Sequence, residues 1–272
     1  MGVDLFISAL KNAKNLELSI SQFGDANLAS QWSSDDIDQG VNYMYNRMYL
    51  LESGVSVIET EKQTITMQPG RLYLVPAGLP VRIRCRTEIR KLYFHFNLFT
   101  FSRNDLFYGM DIILEDDVGL EKIGQLRTWG QENSVYSSMV IKKELYRLVM
   151  EIQNKYGLSS QPILQYSAPV TLAINYIRKN LSAKLSLEIV AENCFVSRSL
   201  LAKSFLKEVG MPVGKYIDSQ LLMTSQWQLR YTQQSIRSIS QMLGYSDACY
   251  FSRRFKQLCG MTPGQYRNDR SV

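Results

Sequence analysis

Ser235-Ile236-Arg237-Ser238-Ile239-Ser240-Gln241-Met242-Leu243-Gly244-Tyr245-Ser246-Asp247-Ala248-Cys249-Tyr250-Phe251-Ser252-Arg253-Arg254-Phe255-Lys256 is the stretch on which the reading of this chain turns. Ser235 stands directly before Ile236, Ile239 and Leu243, whose spacing puts them on one face of a helix. A serine in that place offers a side-chain oxygen to an unsatisfied amide of the first turn. Gly244 marks a tight turn, since glycine takes up a left-handed backbone at the least steric cost. In the helix that follows, Phe251, Phe255 and Leu258 are expected to be buried, with Cys249, Ser252, Arg253 and Lys256 opposite. A helix, a tight turn and a second helix showing small, polar and basic side chains is a shape that fits a DNA major groove.

The unit occurs twice. Gly210-Met211-Pro212-Val213-Gly214-Lys215-Tyr216 recurs 50 residues on as Gly260-Met261-Thr262-Pro263-Gly264-Gln265-Tyr266. Leu201 and Phe205 match Phe251 and Phe255 at the same offset. Upstream, Ala191 matches Ser240 and Ser197 matches Ser246 at an offset of 49, so the second copy carries one extra residue just before its second helix. Self-similarity of this length implies two copies of one supersecondary unit. In the first copy Ser186 caps a helix with Leu187, Val190 and Ala191, the turn passes Asn193 to Val196, and Ser197 caps a helix burying Leu201 and Phe205. Between the copies, no glycine or proline falls from Lys215 to Tyr231. A helix of about 18 residues there spans about 27 Å, on the scale of the roughly 34 Å that separates successive turns of one DNA groove.

Charge points the same way. The chain has 272 residues, 31 Lys and Arg against 25 Asp and Glu, and a net charge of +6. Residues 168–272 alone hold 14 basic and 6 acidic residues, so this third carries the whole excess. Such asymmetry suits a polyanionic partner, whose condensed counterions basic side chains release. A composition 45% hydrophobic and 21% charged excludes wholesale disorder. No run of 18 apolar residues is present, so no membrane span is expected. Met1-Gly2-Val3-Asp4-Leu5-Phe6 lacks the basic stretch and cleavage site of a signal peptide. Cys85, Cys194, Cys249 and Cys259 form no C-x-x-C pair, so reduced thiols and a cytoplasmic location are expected, with no zinc ribbon. A single histidine, His95, leaves no histidine metal cage. No catalytic residue, metal or cofactor is assigned.

Residues 41–101 read as β. Tyr43, Tyr45, Arg47, Tyr49 and Leu51 alternate, as do Val81, Ile83 and Cys85 against Arg82, Arg84 and Arg86, and Leu92, Phe94 and Phe96 against Tyr93, His95 and Asn97. Pro69-Gly70 and Pro76-Ala77-Gly78-Leu79-Pro80 are turn signals between short strands, which together predict a small antiparallel barrel or sandwich. Leu120, Ile123 and Leu126 suit a short helix. Ile141, Leu145, Leu148 and Ile152 form a seam that either packs on the barrel or pairs two subunits. The expected fold is two-domain α+β: an N-terminal domain over 1–157 ending at Gly157, a linker over 158–168 containing Ser159, Ser160 and Pro162, and an all-α domain over 169–272 opened by Pro169.

At this point the chain resembles the AraC/XylS family of bacterial transcription regulators. The span from Ser235 to Lys256, continued through Gly260-Met261-Thr262-Pro263 to Tyr266-Arg267, is similar to the family's second helix-turn-helix motif, and Ala191 to Tyr216 follows the looser first motif. Ser240 stands where the family usually has alanine, and Phe195 where a small turn residue is common. The resemblance implies two helix-turn-helix units in successive major grooves. By position, Ser199, Ala202 and Lys203 of the first and Cys249, Ser252 and Arg253 of the second face bases. Arg253 is the foremost candidate for base readout, because guanidinium bridges guanine O6 and N7. Lys207 and Lys256 fit phosphate contacts. The N-terminal half resembles the family's cupin-like sensor domain through Met67-Gln68-Pro69-Gly70-Arg71-Leu72-Tyr73-Leu74-Val75-Pro76-Ala77-Gly78-Leu79-Pro80 and the strand Tyr93-Phe94-His95-Phe96. In that sense Tyr43, Tyr45, Arg47, Arg82, Arg84, Tyr93 and His95 are candidates to line an effector site.

The function expected is a ligand-responsive activator of metabolic genes, with carbohydrate use as a compatible setting. Its partners are promoter DNA, a small effector such as a sugar, a second copy of the chain and RNA polymerase. Two rivals remain at this level. One is a cupin-type enzyme, such as a sugar isomerase, fused to a DNA-binding tail and drawing on Glu52, Glu59 or Glu61. The other is a constitutive regulator whose barrel only dimerises.

Overall fold

The computed structural model describes residues 16–36, 43–99, 105–158 and 166–268. It falls into two compact units that divide between Pro162 and Ile163. Of the expected linker, residues 159–165, including Pro162, lie outside the described residues, as do Met1 to Phe6.

Among the described residues the first unit has nine strands: β1 (Glu17–Leu28), β2 (Ser33–Asp35), β3 (Asn46–Ser53), β4 (Ser56–Glu59), β5 (Thr64–Met67), β6 (Arg71–Val75), β7 (Arg82–Cys85), β8 (Ile89–Phe99) and β9 (Leu114–Asp117). They form two sheets rather than one closed barrel, in the orders β1-β8-β3-β6-β9 and β2-β7-β4-β5. The pairing is antiparallel throughout. The period of two along β8 explains the layering. Leu92, Phe94, Phe96 and Leu98 face a core shared with two helices, α1 (Leu120–Gln131) and α2 (Val135–Lys155). Tyr93 faces the opposite way, into a core between the sheets with Tyr49, Leu51, Tyr73, Ile58 and Ile83. The seam on α2 lies in the first of these cores: Leu145, Leu148 and Ile152 are buried there and Ile141 packs at its margin. Of its two readings, packing on the sheet is the one the structure adopts. Arg127 of α1 reaches Asp25 at 2.8 Å and also pairs with Glu52, tying the helix to β1 and β3.

The second unit is all helix: α3 (Ala168–Lys179), α4 (Leu187–Asn193), α5 (Arg198–Val209), α6 (Val213–Tyr231), α7 (Ile236–Met242), α8 (Ala248–Cys259) and α9 (Pro263–Asn268). Pro169 sits in the first turn of α3, where its missing N–H leaves no bond unmade. Ser186, Ser197, Ser235 and Asp247 each accept a hydrogen bond from the backbone amide three residues on, capping α4, α5, α7 and α8. α4-turn-α5 and α7-turn-α8 are the two copies. The second turn is longer by one residue, as the change of offset from 49 to 50 requires.

The turns share one geometry. Phe195 has φ 56° and Gly244 φ 75°, both left-handed, and they occupy the same place in the repeat. The amides of Phe195 and Val196 bond to Glu192 and Ala191 carbonyls, and those of Gly244 and Tyr245 to Gln241 and Ser240 in the same pattern. Ser240, the departure noted in the sequence, is buried and satisfied by donating to the Arg237 carbonyl at 2.9 Å. After each second helix an aromatic pair meets edge to face: Phe205 with Tyr216 at 5.4 Å between ring centres, and Phe255 with Tyr266 at 5.6 Å. The 19-residue α6 joins the copies and spans about 28 Å. A second tie runs from the Ala183 amide to the Leu243 carbonyl at 2.8 Å, with Ser182 against Gly244 so closely that a Cβ on the glycine would meet its hydroxyl at 2.1 Å.

Phe195 is 96% exposed, so its ring returns little packing for a backbone conformation that disfavours side chains. Phe195→Gly is therefore expected to stabilise the second unit, by up to about 1 kcal/mol in chemical denaturation. A loss of stability would show that the exposed ring makes a contribution its surroundings do not reveal.

Candidate nucleic-acid interface and interior ligand site

The rotation of each second helix is set by what it buries. On α5, Leu201 and Phe205 are buried, and Ser199, Lys203 and Lys207 are exposed with Ala202 partly so. On α8, Phe251, Phe255 and Cys259 are buried, and Cys249, Arg253 and Lys256 are exposed with Ser252 partly so. The expected core residue Leu258 is only half-buried. Cys259 takes the inner place because α6 covers it, with the Gln226 side-chain amide donating to its sulfur at 3.4 Å.

The candidate base-facing residues thus fall into two matching sets. Ser199, Ala202 and Lys203 occupy the places that Cys249, Ser252 and Arg253 hold 50 residues later. Among the described residues, Lys203, Lys207, Arg253 and Lys256 form no ion pair. Ser252 donates to the Ala248 carbonyl at 2.7 Å, turning its hydroxyl back along its own helix. The two adjacent arginines differ in role. Arg254 donates to Asp218 of α6 at 2.5 Å and to Gln257 at 2.7 Å, locking α8 onto the connecting helix, whereas Arg253 points outward. The phosphate candidates are less symmetric. The counterpart of Lys256 is Leu206, an exposed leucine, and that of Lys207 is Gln257.

In the first unit, five of the seven candidate effector residues come together between the sheets. The rings of Tyr43 and Tyr45 stand 5.3 Å apart, Tyr45 stacks on His95 at 4.6 Å, and Tyr93 meets His95 at 5.4 Å. Arg47, paired in register with His95, lies over the Tyr43 ring at 4.8 Å. Its guanidinium donates to Asp36 at 2.6 Å and to the Leu79 carbonyl at 3.0 Å. Burial works against the Arg47 charge, but the attraction of Asp36 outweighs it and holds the group above its ordinary pKa. Gly24 of β1 leaves room for the Tyr93 phenol, to which Gln22 donates at 2.7 Å.

Arg82 and Arg84 do not join this group. They alternate with the inward Ile83 and Cys85, and pair outside the core with Asp35 at 2.6 Å and Glu59 at 3.5 Å. The carboxylates offered for an enzymatic reading are also engaged, Glu52 with Arg127 and Glu59 with Arg82 and Arg84, while Glu61 is exposed. Interior residues that escaped the sequence reading include Asp36, Asp105 and Lys91, with Trp32 partly buried against the same core as Lys91. Lys91 belongs to the same face of β8 as Tyr93 and His95, and the alternation that placed those two could have placed it.

A helix-turn-helix domain family matches residues 190–269. The lactose operon transcription activator of Staphylococcus xylosus is 23% identical over 262 residues, 91% of this chain and 94% of its own. The arabinose operon regulatory protein of Escherichia coli K12 is 23% identical over 228 residues, 79% of this chain and 77% of its own. Other curated relatives are matched over 49% of their length, so the chain spans about half of them. ToxT from Vibrio cholerae has the same fold, with a TM-score of 0.60 over 90% of this chain and 97% of its own at 13% identity.

The Arg47–Asp36 pair has both side chains at least 94% removed from solvent. Asp36→Asn leaves the guanidinium buried without its counter-charge, and is expected to cost the first unit about 3–5 kcal/mol in denaturant unfolding. A cost below about 1 kcal/mol would mean that the pair does not carry the burial of Arg47.

Proposed function

We propose that this chain, a DNA-binding transcription regulator whose C-terminal unit is an AraC-type double helix-turn-helix, activates genes of carbohydrate use in response to a small molecule held in its N-terminal unit. The observation that carries the reading is the matched pair of second helices. Each has a buried Leu/Phe or Phe/Phe stripe inward and the same outward positions, on either side of one unbroken 19-residue helix. In this reading Arg253 and Lys203 read base edges, with Ser199, Ala202, Cys249 and Ser252 close enough for shape and methyl contacts. Lys207 and Lys256 hold phosphates and fix register. The basic excess of the C-terminal third supports the same partner.

The N-terminal unit, 1–157, serves as sensor and subunit contact, 158–168 as connection and 169–272 as reader. Tyr43, Tyr45, Arg47, Tyr93 and His95 form the effector wall, since stacked rings beside a guanidinium suit a polar metabolite. The effector acts only through different affinities for two arrangements of the protein. A lactose operon activator and an arabinose operon regulator among the relatives support the carbohydrate setting and activation. In this reading RNA polymerase is the downstream partner and the chain acts as a homodimer in the cytoplasm. The regulatory relatives, and ion pairs that occupy Glu52 and Glu59, favour this reading over an enzyme.

Operators selected from random duplexes provide the test. Arg253→Ala is expected to relax preference at one base pair by about 1–3 kcal/mol while leaving thermal stability unchanged. Equal losses on every sequence would refute base readout by this residue. Arg254→Ala is expected to do the reverse, lowering stability through the lost Asp218 pair and leaving the preferred sequence intact. For Lys256→Ala the expectation is a uniform loss of affinity with a salt slope smaller by about one, and a changed site preference would contradict a phosphate role.

A further inference from the structure

Among the described residues, the charged groups in the interior of the first unit have hydrogen-bonding partners, with one exception. Arg47 is neutralised by Asp36. Asp105 is surrounded by donors: the side-chain amides of Asn46 at 2.8 Å and Asn97 at 3.1 Å, and the backbone amides of Leu98 at 2.8 Å and Phe107 at 2.9 Å. Lys91 has no such compensation. It is 2% exposed, and its ammonium stands 4.1 Å from the ring centre of Tyr49 and 5.3 Å from that of Trp32. Among the described residues it makes no hydrogen bond and no ion pair. The charged or titratable groups that act on it are the Cys85 thiol from β7 and the like charge of Arg47 from β3. Tyr49 faces it from β3, and Tyr93 and His95 continue its own face of β8. Asp36, beyond β2, is already bonded to Arg47.

A buried ammonium on two ring faces recovers part of its lost hydration, but an uncompensated charge remains costly to bury. Burial and the Arg47 charge push its pKa down to about 8. A methionine here would fill the same space without that cost. With Arg47 and Asp36 cancelling and Asp105 met by amide donors, the Lys91 ammonium is left with no carboxylate beside it among the described residues.

We propose that this site takes the carboxylate of a small organic acid, with the Lys91 ammonium as its counter-ion and Tyr49 and Trp32 as the walls beside it. The inference deepens the sensor reading of the N-terminal unit, on which it rests, and gives the effector a charge: a monoanion bearing hydroxyls, such as a sugar acid, rather than a neutral sugar. Tyr93, two residues along the same face and about 7 Å away, is placed to meet the hydroxylated body of such a ligand. Binding of an anion beside Lys91 raises the affinity of the amine for its proton, so binding near pH 8 draws a proton from solution.

Isothermal calorimetry on the full chain at pH 8, in two buffers of different ionisation enthalpy, tests this with D-glucuronate, acetate and D-glucose as probes. The expected result is binding of glucuronate with uptake of about half a proton, weaker binding of acetate with the same sign, and no proton uptake with glucose. Lys91→Met is expected to weaken glucuronate at least tenfold and to raise the melting temperature of the unliganded protein. The inference is overturned if both acids bind no better than glucose, or if Lys91→Met binds glucuronate as tightly as the parent. Glucose binding without proton uptake, in the absence of acid binding, would leave the sensor reading standing and remove the anionic effector. Glucuronate that binds through Lys91 yet leaves operator affinity unchanged would keep this site and remove its sensing role.

Discussion

The edge-to-face packing of Phe205 on Tyr216, repeated as Phe255 on Tyr266, fixes the reading surface. Each phenylalanine is on a second helix and each tyrosine on the helix after it, so the pair sets how far the second helix is rotated about its axis. Once Phe205 and Leu201 point inward, Ser199 and Lys203 have no freedom but to point out, because the helical period leaves them nowhere else. The same constraint turns Arg253 outward and brings Arg254, one step round the helix, onto Asp218. An exposed surface able to read bases is thus a by-product of core packing, and its precision is inherited from that packing.

The repeat was legible in the sequence because its signals are local. Caps at Ser186, Ser197 and Ser235, the glycine at 244 and the shift of offset by one residue are properties of short segments, and each has its place in the helices. Leu258 was misjudged because burial at the end of α8 depends on α6, which covers Cys259 instead. In the first unit, alternation separated the two faces of each strand but not what lies over them. Leu92, Phe94 and Phe96 announce a core, yet nothing in Lys91-Tyr93-His95 says that a second sheet buries that face too. Lysine in a strand is normally a solvent residue. For the same reason the sequence offered Arg82 and Arg84 as interior candidates alongside Arg47: only the identity of the face, settled by Ile83 and Cys85 in the core, tells them apart.

The two copies are alike in frame and unlike in surface. Where α8 shows Tyr250, Arg253 and Lys256, α5 shows Leu200, Lys203 and Leu206. Arginine offers a planar fork of donors and lysine a single point charge, so the second copy is the better equipped for bidentate base contacts and the first for looser ones. The left-handed turn is also filled differently, by Phe195 in the first copy and Gly244 in the second, where Ser182 leaves no room for a side chain. Copy one therefore tolerates a bulky turn because nothing packs on it. The turn of copy two is clasped by the loop before α4, and this contact joins the two copies independently of α6.

Electrostatics divides the interior of the first unit into a finished part and an unfinished one. The Arg47–Asp36 pair and the Asp105 cluster are complete, and a ligand that disturbed either would have to replace bonds already made. Among the described residues, Lys91 is a point at which an incoming negative charge gains more than it displaces, since aromatic faces offer an ammonium less than a carboxylate does. A neutral polyol would find hydrogen-bonding groups but no unmet charge, so the difference in affinity between two such ligands resides in one amine. Because a ligand shifts an equilibrium only by its differential affinity, the same amine is where a signal read by the first unit acquires its chemical selectivity.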